Sequence, residues 1–130
     1  KPGGLGGNLL VNAGEIEVSG NSPDGRFISG LFALSGEERP GINPKEATGR
    51  GGDIQIGTGK LTIRSGAQVS AATEGIGQGG SISVIADAID VSGASNITQQ
   101  FSTLAAVSRG AGNSGNITIN SRTLKVSDGA

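Results

Sequence analysis

Carboxylates are the first side chains to weigh for chemistry in this 130-residue chain, which has no His and no Cys. Ser-His-Asp and Cys-His catalysis, like soft-metal ligation, depend on those missing residues. Glycoside hydrolysis needs only two acids, with carboxyls roughly 5–10 Å apart across the scissile bond. Glu17 and Asp90 are the best-placed pair, because they occupy one point of an internal repeat with a single copy between them. Thr62 and Lys125 fill the same point in the other copies. The column therefore reads as an ordinary solvated ladder, and the expectation is no catalysis, no metal and no cofactor.

Other motifs point the same way. A calcium-binding β-roll repeats Asp at fixed spacing, whereas the comparable position here holds Asn8, Asp53, Ser81 and Asn116. Short polar side chains of this kind bond to nearby backbone at corners. The string GIGQGG (75–80) links two extended segments instead of opening a helix, so it is not a phosphate loop. Asn-Ile-Thr at Asn96 and Asn116 matches a glycosylation acceptor, but Asn116 already has its corner role.

The repeat that must position these residues is specific. GGNLLVNAGEIEV begins at Gly6, GGDIQIGTGKLTI at Gly51, GGSISVIADAIDV at Gly79 and SGNITINSRTLKV at Ser114. Counting from Gly7, Gly52, Gly80 and Gly115, positions +2, +4, +9 and +11 are always aliphatic. They are Leu9, Val11, Ile16 and Val18, then Ile54, Ile56, Leu61 and Ile63. Ile82, Val84, Ile89 and Val91 follow, and then Ile117, Ile119, Leu124 and Val126. All sixteen are Ile, Leu or Val, although those types fill only 28 of 130 positions. Alternation at period two predicts strands with one aliphatic face.

The four residues between the apolar pairs are too few for a helix or a crossover, so they are expected to turn a corner. A further Ser-Gly corner follows at Ser19, Ser65 and Ser92, with Asp128-Gly129 in the fourth copy. Third extended pieces are expected at 29–35, 67–73 and 102–108. Three short strands per turn, over about four turns, make an all-β parallel solenoid with each position stacked about 4.8 Å above its equivalent. Stacking sets Glu15 beneath Lys60 and Asp90 beneath Lys125.

Composition fits a narrow, regular interior. Gly supplies 25 residues, Phe only three, and Trp and Tyr none. The net charge of −1 has no basic patch of the kind nucleic acid needs. No apolar run approaches the roughly 20 residues of a membrane-spanning helix, so no membrane insertion is expected. Copies start 45, 28 and 35 residues apart, from Gly7 to Gly52, Gly80 and Gly115. The bare turn is thus 28 residues, and the first and third copies carry insertions. In the first these are NSPDGR (21–26) and GEERPGINPKEATGR (36–50). Their charged residues, Asp24, Arg26, Glu37, Glu38, Arg39, Lys45 and Glu46, are the candidate contacts to a cell-surface or matrix glycan or protein.

Three stretches carry a resemblance: IEVSGNSPDGRFISGLFALS (16–35), the run from Gly49 to Ala71 ending in GAQVSA, and GNSGNITINSRTLKVSDGA (112–130). They resemble repeats of filamentous-haemagglutinin-like proteins of two-partner secretion systems, specifically the cyanobacterial branch. The resemblance implies a right-handed parallel β-helix exported through an outer-membrane transporter, and a secreted, cell-surface rod acting as an adhesin. INPKEA (42–47) does not copy the Asn-Pro motifs of that family's secretion domain. The chain is accordingly expected to be a single β-helix segment over 1–130, an excerpt of a longer shaft. Its turns are expected near 3–50, 51–78, 79–113 and 114–130. Two alternatives stand beside this: a self-assembling filament subunit joined end to end, and a carbohydrate-active lyase or hydrolase fragment. The second lacks the Trp and Tyr platforms on which sugar rings stack.

Overall fold

The computed structural model describes residues 6–35 and 48–130. Four eleven-residue strands, β1 (Leu9–Ser19), β3 (Ile54–Arg64), β5 (Ile82–Ser92) and β7 (Ile117–Ser127), alternate with shorter ones. These are β2 (Gly30–Ser35), β4 (Gln68–Thr73) and β6 (Thr103–Ser108). The long strands form one sheet in the order β1-β3-β5-β7 and the short ones a second, β2-β4-β6. Every pairing is parallel, and the described residues include no helix. The result is all-β and consistent with a β-solenoid.

The repeat columns are in register. Leu9 faces Ile54, Ile54 faces Ile82, and Ile82 faces Ile117. Positions +4, +9 and +11 line up in the same way. The short strands align Ala33 with Ala71 and Ala106. Ile54, Leu61, Ile63, Val69 and Ile82 are wholly buried. Each such side chain contributes about 1.5–3 kcal/mol on leaving water.

One expectation is corrected. Each of the first three repeats contains two strands, not three, because the two apolar pairs share a single strand. Pairing carries on between them, with Ala13 opposite Thr58, Thr58 opposite Ala86 and Ala86 opposite Ser121. Only Gly14, Gly59, Asp87 and Arg122 drop out of the ladder. At that point the inward face shifts by one residue: Ile82, Val84 and Ala86 are buried, and then Ile89 and Val91. The expected corner survives as this change of phase. The third extended pieces fall as expected, at Gly30–Ser35, Gln68–Thr73 and Thr103–Ser108.

The small polar column at +1 is a directed ladder. Asn8 Oδ1 accepts from the Asp53 backbone N–H at 3.0 Å, Asp53 Oδ1 from that of Ser81 at 2.8 Å, and Ser81 Oγ from that of Asn116 at 3.2 Å. Each side chain thus ties its own copy to the following one. Glycine dominates the adjoining corner because the backbones touch: a Cβ on Gly52 would run into the Gly7 carbonyl, and one on Gly80 into that of Gly52.

Candidate functional site

Among the described residues, departures from the repeat collect at one corner. In the middle copy, Ser65-Gly66-Ala67 passes directly from β3 to β4. In the first and third copies an eight-residue hairpin stands at this place. Its ends are bridged antiparallel, Asn21 to Ile28 and Ala94 to Phe101. The chain re-enters at equivalent residues: Gln68 donates its N–H to the Ser29 carbonyl and Thr103 donates to that of Ala67, both at 3.0 Å.

The first hairpin is held by Ser22 and Asp24. The Phe27 N–H donates to Ser22 Oγ at 3.0 Å, the Arg26 N–H to Asp24 Oδ1 at 3.1 Å, and Ser22 Oγ to the same oxygen at 2.5 Å. The Ser22 hydroxyl, followed by the Arg26 N–H, holds the Asp24 carboxyl below the usual carboxylate range. Asp24 is therefore committed to shaping its own loop. Arg26, 3.7 Å from it, keeps most of its side chain in water. Glu37, Glu38, Arg39, Lys45 and Glu46 lie outside the described residues.

The second hairpin, 94–101, shows in the sequence as the third copy's extra length, with one faint signal of its place. That signal is a matched spacing, Ser-Gly then Ser ten residues after the first Ser, at 19–29 and again at 92–102. Ser95 organises the hairpin from a nearly buried position. Its hydroxyl accepts from the Ile97 and Thr98 N–H groups at 3.1 Å and donates to Asn21 Oδ1 at 2.6 Å. That last bond joins the two hairpins across the bare corner between them. Gly66 is required beneath: its φ is +82°, and a Cβ there would stand 2.7 Å from Ser95 Cβ. Gly25 likewise abuts Ile97 and Thr98. The two insertions thus make one continuous ridge, on which Phe27, Ile97 and Phe101 are exposed.

A shallow groove of about 200 Å³ runs along the outer face of the short-strand sheet. It is lined by Phe32, Leu34, Gln68 and Ala72, and ends at the Glu74–Arg109 ion pair of 2.5 Å. All three phenylalanines are therefore outside the core.

Glu17 and Asp90 share a column through Thr62, two rungs apart, which is about 10 Å. Glu17 is engaged by Arg64, whose Nη2 and Nε lie 2.6 and 2.9 Å from Oε1. Arg64 holds the Glu17 carboxyl below its ordinary value, which suits a cross-strand ion pair and not a proton donor. Asp90 Oδ1 is buried without a hydrogen-bond partner among the described residues. The expected charge pairs have the right register, since Glu15 faces Lys60 and Asp90 faces Lys125. The close contacts, however, form at Glu17–Arg64 and Glu74–Arg109. No helix among the described residues is long and apolar enough to cross a membrane, and these residues contain no cluster of three potential metal ligands. Comparison with known protein families, curated proteins and solved structures returned no match.

Proposed function

We propose that this chain is a shaft segment of a secreted, cell-surface rod of the filamentous-haemagglutinin-like type, with no catalysis of its own. It is a right-handed parallel β-helix of about four turns, and it acts as an adhesin through corner loops. One observation supports this above others. Side-chain columns run unbroken through the stack, while insertions at one corner join through Ser95 and Asn21 into an exposed ridge. A stacked ladder of this kind tolerates extra length at a corner without disturbing the strands. The rod holds the ridge at a distance from the cell. The ridge offers apolar Phe27, Ile97 and Phe101 beside Arg26, a mixture suited to a glycan or protein surface.

The test replaces each hairpin, residues 21–28 and 94–101, with the single glycine that stands there in the middle copy, Gly66. Labelled wild-type chain is expected to bind cell-surface preparations or an array of glycans and matrix proteins. The deleted chain should keep its β circular dichroism and lose at least tenfold in binding. Equal binding by both chains, or none by the wild type, would overturn the adhesive reading.

A further inference from the structure

We infer that Asn96 is a glycosylation site, an N-linked sugar being attached at the tip of the 94–101 hairpin while the second Asn-Ile-Thr, at Asn116, stays bare. The inference concerns a covalent modification and is independent of what the ridge binds.

A match to Asn-X-Thr says little alone, because Asn is also a common turn residue with bonding work of its own. Here that work falls to the residue before it. Ser95 Oγ accepts from the Ile97 and Thr98 N–H groups, and the Ser95 carbonyl accepts from the Gln99 N–H at 3.0 Å. Asn96, Ile97 and Thr98 form the turn closed in this way. Asn96 is exposed, and its carbonyl accepts from Gln99 Nε2 at 3.2 Å. Its side-chain amide makes no hydrogen bond among the described residues. The stacked columns make no demand on it either, since the middle copy has Gly66 where the whole hairpin stands.

Asn116 has the same three residue types in the opposite setting. Its N–H donates to Ser81 Oγ at 3.2 Å, and Ile117 and Thr118 already lie in β7, opposite Ile82 and Ser83. An enzyme must surround an acceptor tripeptide to reach the amide nitrogen, which a hairpin tip permits and a paired strand does not.

The tip is also clear of the stack. β5 has a neighbour on each side, β3 and β7, and the corners of both adjoining copies are bare. Ser65 and Gly66 have φ of 56° and 82°, and Asp128 and Gly129 repeat them at 55° and 81°. Gly25 of the first hairpin approaches Ile97 and Thr98 but not Asn96. Bulk added to Asn96 therefore displaces no strand.

The co-reactant is a sugar activated through phosphate at its anomeric carbon, either a sugar nucleotide or a lipid pyrophosphate, brought by a separate transferase. The Asn96 amide nitrogen attacks that carbon. The N–C bond forms as the C–O bond to phosphate breaks, the phosphate leaves with the electron pair, and the amide proton passes to a base of the transferase.

Peptide mapping of the protein isolated from its native cells tests this. Trypsin separates the two motifs, because no Lys or Arg lies between Arg64 and Arg109 or between Arg109 and Arg122. Peptide 65–109 should carry a sugar mass that fragmentation places on Asn96, and peptide 110–122 should carry none. Hexoses added singly identify the nucleotide donor and one preassembled oligosaccharide the lipid donor; either supports the site. In the same cells Asn96→Gln and Thr98→Ala should each lower occupancy at least tenfold, and Thr98→Ser should retain it. Asn96→Gln should also keep the melting midpoint of the sugar-free wild type, since Ser95 holds the turn. A sugar-free peptide 65–109, equal or greater occupancy at Asn116, or a lowered midpoint for Asn96→Gln would overturn the inference.

Discussion

β5 and β7 carry the same pattern of aliphatic residues and live in different surroundings. In β5, Ile82, Val84 and Ile89 are at most 2% exposed; in β7, Ile117 is 42% and Leu124 52% exposed. Nothing in the local sequence separates them. The difference is that β5 has a rung on each side, β3 and β7, whereas β7 pairs only with β5. In a stack, burial belongs to the neighbours and not to the residue. Stability is then expected to approximate a sum over rungs and their interfaces, with the middle bearing most of it.

The sharpest way to break this contrast is to put the same charge at both places. Val84→Asp buries an unpaired carboxylate and is expected to cost about 4 kcal/mol or more, visible as loss of cooperative melting. Val126→Asp, more than half exposed, should cost less than about 1 kcal/mol. Equal costs in denaturant titration would refute the rung picture.

Glycine gives a second contrast. Gly80→Ala forces a methyl against the Gly52 carbonyl and should cost about 1–3 kcal/mol. Gly7→Ala should leave the melting midpoint unchanged. Smaller still is the ridge. Ser95→Ala removes the bond to Asn21 and two acceptor contacts, for about 1–2 kcal/mol. Proteolysis between 94 and 101 should then quicken while the strands stay protected.

The smallest effect is at Glu17. Its carboxyl is held below the ordinary 4.5 by Arg64, so the folded state favours the ionised form. That contribution is fully present above about pH 4.5 and fades as pH falls through the lowered folded value. Glu17→Gln should flatten this acid limb of a melting-temperature profile slightly. An identical profile would show that the pair is screened away.

The columns are legible in the sequence because aliphatic residues at four fixed offsets can satisfy stacked strands and little else. The fusion of two expected strands into one is not. A one-residue change of face looks, in sequence, the same as a corner, and only continued pairing at Ala13, Thr58, Ala86 and Ser121 distinguishes them. The hairpin at 94–101 is legible in the sequence as the extra length of the third copy, but its shape is not, because Asn-Ile-Thr resembles strand as much as loop. The Ser-Gly frame shared with 19–29 is the usable clue. Asp24 and Arg26 do sit on a loop, as their surroundings predict, but their spacing does not disclose that Asp24 turns inward to bond Ser22 and the Arg26 backbone. Long side chains also blur the ion pairs: register fixes Glu15 opposite Lys60, yet the close contact is Glu17 with Arg64.

The bare corner at Ser65-Gly66-Ala67 and its two elaborated counterparts leave and rejoin the strands at equivalent residues. Eight residues are thus exchangeable for one, Gly66, without altering entry or exit. Such a site behaves as a splice port: peptide cassettes of unrelated character could be swapped in one rung at a time, and a lineage or an engineer could retune what is displayed while the supporting ladder keeps its spacing.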